Sequence, residues 1–518
     1  MNIVIVGGGT AGWLAALFAS KYRPGEHNIT VVDSSEIGII GVGESTTGIF
    51  TDIITNHLWE FGCNHDEFII ETGATLKYAI KHTGWTKDIT DSYIAPLDGT
   101  ATASSTPDAM FAWGVNNLPK DKLLVLSTLG HWIDTGMSSF DKTTLRFDDL
   151  RHAMHVDANL VGKYFKKVCM RDTNVKHINS KITNVNLREN GFIKNLELED
   201  GNTVEGDFFI DCTGFSKLLM SKMPNKWVSY KKHLPVNTGM PFQLKYKEDE
   251  TPMQWTHAWA QKNGWMWQIP LMDRIGSGYV FCDEFTTPDK AQEEIETALG
   301  QEIEPLKIIK FESGRQENAW VNNCVCAGLS ASFLEPLEAT SIHGTVVALK
   351  TFIFEYLKPT LDQTMNTGSV NIYNQRCARL HDQFKDFVNV HYMGGRDDSE
   401  FWKYISSGAT RTDYVADRLE MCKARLPTVR DFPDTWGDAG WALWAWILHG
   451  TGHIKPEILQ NELEMSIPGQ FNSLDNISAE FYYNSREQFL KDTANYATYK
   501  EFIEYFRTIR ARNGLQNN

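Results

Sequence analysis

Residues 2–13 read NIVIVGGGTAGW, and this stretch decides the fold. The β-branched run NIVIV is what a strand buried on both faces of a parallel sheet requires. Gly7, Gly9 and Gly12 then form G-x-G-x-x-G, with Thr10 and Ala11 inside it, and WLAALFASKY continues from Trp13 as a helix of good formers. Glycine has no Cβ, so the turn can be tight and amide N–H groups at the helix start can approach a pyrophosphate. The next apolar run, NITVVD, ends at Asp33, twenty-one residues after Gly12, where a carboxylate can take a ribose hydroxyl. Strand, glycines, helix, strand and acid in that order predict an α/β, Rossmann-like dinucleotide site rather than a merely structural tight turn.

The fingerprint alone serves FAD and NAD equally, and two later stretches favour flavin. GVGES at 41–45 sets Gly43, Glu44 and Ser45 in glycine-rich backbone near the same sheet edge, and DFFIDCTGFSKLL at 207–219 is a further strand ending at Asp211. A chain that returns to its nucleotide domain after a long excursion is usual among FAD oxidoreductases.

Bulk properties narrow the class. With 518 residues, 42% of them hydrophobic, the chain can bury a large core and divide into more than one module. Lys plus Arg total 50 against 65 Asp plus Glu, a net charge of -15, which argues against nucleic acid as a partner. The eight cysteines show no CxxC pair, the closest being Cys324 and Cys326, so buried free thiols are expected and no metal site. No signal-peptide pattern precedes the first strand, and the longest apolar run, GWALWAWIL at 440–448, is too short to span a bilayer. A cytoplasmic protein without a membrane partner is the expectation.

Several stretches taken together resemble the flavin-dependent halogenases of the tryptophan halogenase type: GGGTAGW at 7–13, GVGEST at 41–46, LKYAIKHTGW at 76–85, HVDANLVGKYF at 155–165, GWMWQIPLMDRIGSGYVF at 264–281, AWVNNCVCAGLSASFLEPLEATSI at 319–342 and HYMGGRDDSEFW at 391–402. A virus-encoded member is one form the resemblance could take, the setting then being a host cytoplasm. The resemblance implies a FAD-binding domain of the flavin monooxygenase type across residues 1–350, with a substrate-side loop insertion at about 86–145, and a mainly helical substrate-covering module at 351–518. It implies FADH2, O2 and a halide (chloride, bromide or iodide) as reactants, a small indole- or phenol-like aromatic substrate, and a separate flavin reductase, since a single nucleotide fingerprint is present. A homo-oligomer stays open.

GWMWQIP has two readings. Trp265 and Trp267, two apart on a strand, share one face that Ile269 continues until Pro270 ends the strand, which by itself means core. In the halogenases that W-x-W-x-I-P motif lies beside the flavin, and the resemblance makes the tryptophans a wall that keeps an organic substrate away while a small anion passes.

By the same resemblance, a flavin C4a-hydroperoxide and halide yield hypohalous acid, which a lysine guides to the substrate. LKYAIKHTGW reads as a helix with Lys81 one turn after Lys77, so spacing cannot choose between them; the family motif selects Lys77 and leaves Lys81 at the surface. The lysine could act as a hydrogen-bonding ammonium or through a haloamine. In FLEPLEATS, Pro336 can start a helix with Glu338 in its first turn, where the dipole favours a carboxylate and no chemistry is required. The resemblance gives Glu338 the stabilisation and deprotonation of the arenium cation. It gives the backbone amides of Thr340 and Ser341 the halide, although tryptophan halogenases often carry Ser and Gly where this chain has Ala339 and Ser341. It also adds Gly328 and Leu337 to the cofactor contacts.

Phe111, Trp113, His131 and Trp132, and the cluster Trp436, Trp441, Trp444 and Trp446, are candidates for an aromatic clamp and equally for core. Arg396, Asp397 and Asp398 match a family stretch whose expected role is structural. The rival functions are an aromatic monooxygenase, which needs open access to the flavin, and a non-catalytic flavin-binding protein, which would not keep both Lys77 and Glu338.

Overall fold

A computed structural model describes residues 1–36, 38, 43–98, 114–115, 118, 120–147, 152–426, 431–432, 441–458, 460–461 and 478–515. By internal contacts the chain divides into two compact units, one of Met1–Ala74, Val156–Lys231 and Glu312–Gln383, the other of Thr75–His155, Lys232–Phe311 and Phe384–Asn518. The sequence places one boundary near residue 350. The contacts divide differently, because sheets pair strands that are far apart in the chain.

The first unit is built on the expected sheet, in the order Lys176–Asn179, Asn28–Asp33, Asn2–Val6, Phe208–Asp211, Cys324–Cys326, Trp320–Val321. The first five are parallel and Trp320–Val321 is antiparallel. In register, Val6 faces both Val32 and Asp211, so the strands end together, and sheets of this kind bind dinucleotides beyond their carboxyl ends. The helix Thr10–Tyr22 is buried from Gly12 through Ala19, as an all-round apolar helix must be.

The second unit carries a seven-stranded sheet in the order Ile309–Lys310, Thr238–Leu244, Ile275–Phe281, Gly264–Pro270, Trp255–Ala260, Ala79–Thr83, Ser92–Pro96. The helix Pro288–Leu299, capped by Thr287, covers one face of it, where Ala291 and Ile295 share a core with Met240, Phe242, Met266 and Tyr279.

Two expectations change here. LKYAIKHTGW is two short strands, Thr75–Lys77 and Ala79–Thr83, not a helix. Ala79–Thr83 pairs in parallel with Trp255–Trp259 and antiparallel with Ser92–Pro96, and those distant partners override its helical spacing. The region 86–145, expected as loop, contains the strands Ser92–Pro96 and Met137–Asp141 and the helix Thr128–Thr135. After residue 351 the described elements are helical except the strand Tyr496–Thr498, which pairs with Met137–Asp141. All eight cysteines are buried and free. No helix among the described residues is long and apolar enough to cross a membrane.

Candidate active site

The glycine turn has the shape a pyrophosphate needs. Gly7 holds φ at +112°, a conformation L side chains avoid, and a Cβ there would run into the Cys212 carbonyl. A Cβ on Gly12 would strike the Gly7 carbonyl, so these two glycines serve the protein's own packing. At Gly9 nothing lies within 4 Å of where a Cβ would sit, and no side chain caps the helix Thr10–Tyr22 that starts beside it. Open space against uncapped amides, those of Thr10 and Ala11 among them, fits a phosphate group. Gly328 belongs to the same place: a Cβ on it would press on Ala11 at 3.0 Å. Leu337 is buried in the same unit.

The two acids differ. Asp33 ends its strand as expected, and its Oδ1 accepts a 2.6 Å hydrogen bond from His177 Nε2, a partner 144 positions away. The other oxygen faces Gly8, where a Cβ would overlap it. Asp211, expected as a cofactor contact, is fully buried and saturated by the chain. Oδ1 accepts from Thr213 N, Thr213 Oγ1 and Ser330 Oγ, and Oδ2 from the amides of Leu219 and Met220. With five internal donors, the carboxylate shapes the surrounding loops and has no lone pair left to give a ligand.

Gly43, at φ +136°, leads into the short strand Glu44–Ser45. Burial, and then the charge of Asp157, raise the Glu44 carboxyl from 4.5 to about 7. Asp157 is held by capping the helix Ala158–Asp172 through Asn159 N and Leu160 N. A raised acid favours the protonated folded state, so this group's stabilising contribution is complete below its unfolded value and falls as pH rises from about 4.5 to about 7. Glu44→Gln is therefore expected to flatten the fall in melting temperature across that interval and to raise the melting temperature at pH 8, measured by thermal unfolding over a pH series.

Glu338 departs from a simple helix start. Pro336–Glu338 form one 3-10 turn, Ala339 reverses into the left-handed region at φ 55° and ψ 30°, and the helix Thr340–Thr351 begins only then. A non-glycine residue in that region costs about 1 kcal/mol. The strained residue turns the chain so that Thr340 and Ser341 occupy the first two helical positions, and no side chain caps them. Their amides have no intrahelical acceptor and sit at the positive end of the dipole. Ser341, where glycine was the family expectation, is in ordinary helical backbone and its carbonyl accepts from Thr345 Oγ1 at 2.7 Å. Further along the helix, His343 Nδ1 bonds Thr47 Oγ1 at 2.8 Å, joining it to the segment that follows Ser45. The cofactor and halide candidates thus all fall within the first unit.

Lys77 and the tryptophans belong to the second. Lys77 ends its strand fully buried, at 0% exposure, paired with Ala153, while Lys81 is half-buried. Burial and the nearby Lys77 charge push His155 well below its ordinary value and keep it neutral. Its tautomer follows from its neighbours. Thr75 Oγ1 donates to the Pro270 carbonyl, so it accepts from His155 Nδ1 at 3.1 Å, and His155 Nε2 accepts from Thr256 Oγ1 at 2.9 Å. This relay ties the Lys77 strand to the end of Gly264–Pro270.

In that strand Trp265 and Trp267 share the face opposite Met266, with ring centroids 6.3 Å apart and Ile269 next along it, all buried. Trp265 lies against Trp85 at 6.2 Å. Trp267 lies over Gly278, its register partner, where a Cβ would overlap the indole. Ser277 Oγ fixes the Trp267 carbonyl from the neighbouring strand at 2.7 Å.

The aromatic candidates that can be described are packing. His131 stacks on Phe489 with centroids 4.9 Å apart, and Trp132 meets the same ring at 4.7 Å. Trp444 and Trp446 are buried in the core that also holds Phe387, Leu419 and Phe432. Phe111, Trp113 and Trp436, and the side chain of Trp441, lie outside the described residues.

Arg396 is structural as expected. It forks onto Asp398 at 2.6 and 3.0 Å, donates to the carbonyls of Gly84 and Ala260, and lies 4.9 Å from the Trp402 ring. Arg396→Met leaves those acceptors without their donor and is expected to lower unfolding stability by about 3 kcal/mol in denaturant titration.

The family model "Tryptophan halogenase" matches residues 2–464. The chain is 30% identical over 457 residues to tryptophan 7-halogenase KtzQ of Kutzneria sp. (strain 744), covering 82% of each protein. It is 30% identical over 486 residues to tryptophan 6-halogenase SttH of Streptomyces toxytricini, covering 88% of this chain and 90% of the relative. The fold matches the crystal structure of SttH with a TM-score of 0.83 at 28% identity, covering 98% and 99% of the two chains. Xcc4156, a flavin-dependent halogenase from Xanthomonas campestris, matches with a TM-score of 0.82 at 26% identity, over 98% of each chain.

Proposed function

This chain belongs to the tryptophan halogenase family, and from that premise we propose that it halogenates a small electron-rich aromatic, of indole or phenol type, through Lys77 and Glu338. It is a flavin-dependent halogenase with the α/β fold of that family, and such enzymes depend on a separate flavin reductase. FADH2 with oxygen supplies the oxidising power that converts chloride, bromide or iodide to hypohalous acid.

The chain's own residues do the rest. The turn from Gly7 to Gly12 and the helix start at Thr10 hold the pyrophosphate, and Asp33, oriented by His177, takes a ribose hydroxyl. Gly43, Glu44, Ser45, Gly328 and Leu337 complete the cofactor contacts, with Asp211 holding loops in place. Thr340 and Ser341 present amide donors to the halide. Trp265, Trp267, Ile269 and Pro270 keep the organic substrate from the flavin. Lys77 hydrogen-bonds the hypohalous acid and aims it at the ring, which confines an oxidant that would otherwise attack any electron-rich group. Glu338 stabilises the arenium cation by its charge and accepts the ring proton. The module of residues 351–518, helical in its described elements apart from the strand Tyr496–Thr498, covers the substrate, and the setting is cytoplasmic.

The observation that carries this reading is the burial of Lys77 at 0% exposure beside a histidine held neutral. A lysine is rarely buried, since removing its charge from water is costly, and a core position would be better filled by an apolar residue. The test is product mass spectrometry with purified protein, FAD, an independent reductase, NADH, oxygen and a panel of indoles and phenols, supplied with each halide in turn. A halogen mass shift that needs the protein is the expected result. A gain of one oxygen without halogen would make the protein a monooxygenase instead.

A further inference from the structure

The first helical position of Thr340–Thr351 has a feature that the backbone amides do not explain. Thr340 is 6% exposed, and among the described residues its Oγ1 is buried with no hydrogen-bond partner. Threonines inside helices commonly satisfy themselves by donating to the carbonyl four residues back, as Thr345 does to Ser341 at 2.7 Å. At the first position that solution is blocked: the Pro336 carbonyl belongs to the preceding 3-10 turn, where it accepts from Ala339 N at 3.3 Å, and Ala339 has reversed the chain. A helical side chain leans toward the helix N-terminus, which here is the end where the uncapped amides lie. Burying a hydroxyl without a partner is unfavourable, and an anion at the amides would supply one.

We propose that the Thr340 hydroxyl is a third hydrogen-bond donor to the halide and biases the site toward chloride. The proposal rests on the assignment of this helix start as the halide site. Two amides and one hydroxyl then converge on the ion. The two amides are fixed by the helix, whereas the O–H can rotate to meet the ion. Chloride has the smallest radius and highest charge density of the three halides, so it gains most from a close donor, and diffuse iodide gains least. Thr340 is thereby a specificity residue that the notion of an amide-only site misses.

The test uses the full-length, FAD-loaded protein, titrating chloride, bromide and iodide at constant ionic strength and reading each apparent Kd from the halide-dependent rise in melting temperature. Thr340→Val keeps the shape and removes the donor; Thr340→Ser keeps the donor. The valine variant is expected to bind chloride about tenfold more weakly, equivalent to about 1.4 kcal/mol, and iodide less than about threefold more weakly. The serine variant should stay within about threefold of the wild type for both. Without halide, the valine variant should melt about 1 to 2 °C above the wild type, because a buried orphan hydroxyl is gone. In competition at equal concentrations, its brominated-to-chlorinated product ratio should rise by several fold. Chloride binding unchanged by valine overturns the proposal while leaving the amide site standing. A wild type whose melting temperature ignores every halide overturns the halide assignment itself.

Discussion

Replacing Lys77 with methionine is expected to lower substrate halogenation by about 10²- to 10³-fold, the scale of losing one positioned hydrogen-bond donor, while FAD affinity changes less than about twofold. Methionine keeps an unbranched stem, so the buried end of the strand Thr75–Lys77 stays filled and its pairing with Ala153–His155 persists. The residues proposed to hold the cofactor, from the glycine turn and Asp33 to Gly328 and Leu337, are other side chains and backbone groups, which this substitution leaves unchanged. Two measurements check this: rate of halogenated product by mass spectrometry, and FAD affinity by flavin fluorescence. A scavenger of hypohalous acid should still be halogenated in solution, since Lys77 is assigned the aiming of the oxidant and not its formation. Substrate halogenation within about threefold of wild type would contradict the assignment.

The second large effect is at Glu338. Glu338→Gln is expected to reduce the rate at saturating substrate by about 10²- to 10³-fold, with the halide-dependent melting shift preserved. Glutamine has the same shape, so the 3-10 turn Pro336–Glu338 and the left-handed Ala339 are retained, and with them the geometry of the Thr340 and Ser341 amides. What is lost is the negative charge facing the cationic ring and the base that removes its proton. Steady-state kinetics alongside halide titration separates these, and loss of halide binding together with rate would mean that Glu338 acts on the helix start instead of the substrate.

These predictions differ in how much of their basis could be read from the chain. The strand, glycine turn and helix at the start of the chain were legible because their signals are local. Glycine spacing, a β-branched run and a helix of good formers all lie between Asn2 and Tyr22, and each reports on backbone geometry within a few residues. The shared face of Trp265, Trp267 and Ile269 was legible for the same reason, since alternation along a strand is set by the pleat. Lys77 stands out only through the family motif, because its local spacing reads as a helix with a solvated lysine. Asp211 looked like a ligand because it ends a strand at the right edge, and only its five internal donors reveal a structural group.

The sequence by itself determined the parallel sheet, the tight glycine turn, the strand that aligns the tryptophans and the turn that Pro336 begins, because each follows from steric preferences over a few neighbouring residues. Only the tertiary structure decided that Lys77 sits in a strand with no exposure, that His177 orients Asp33 from 144 positions away, that Gly278 makes room for Trp267, and that Thr340 is buried with no hydroxyl partner among the described residues. Those facts depend on strand partners and side-chain neighbours brought together by burial of apolar surface, which is non-directional and leaves no periodicity in the sequence to announce which distant residues will meet.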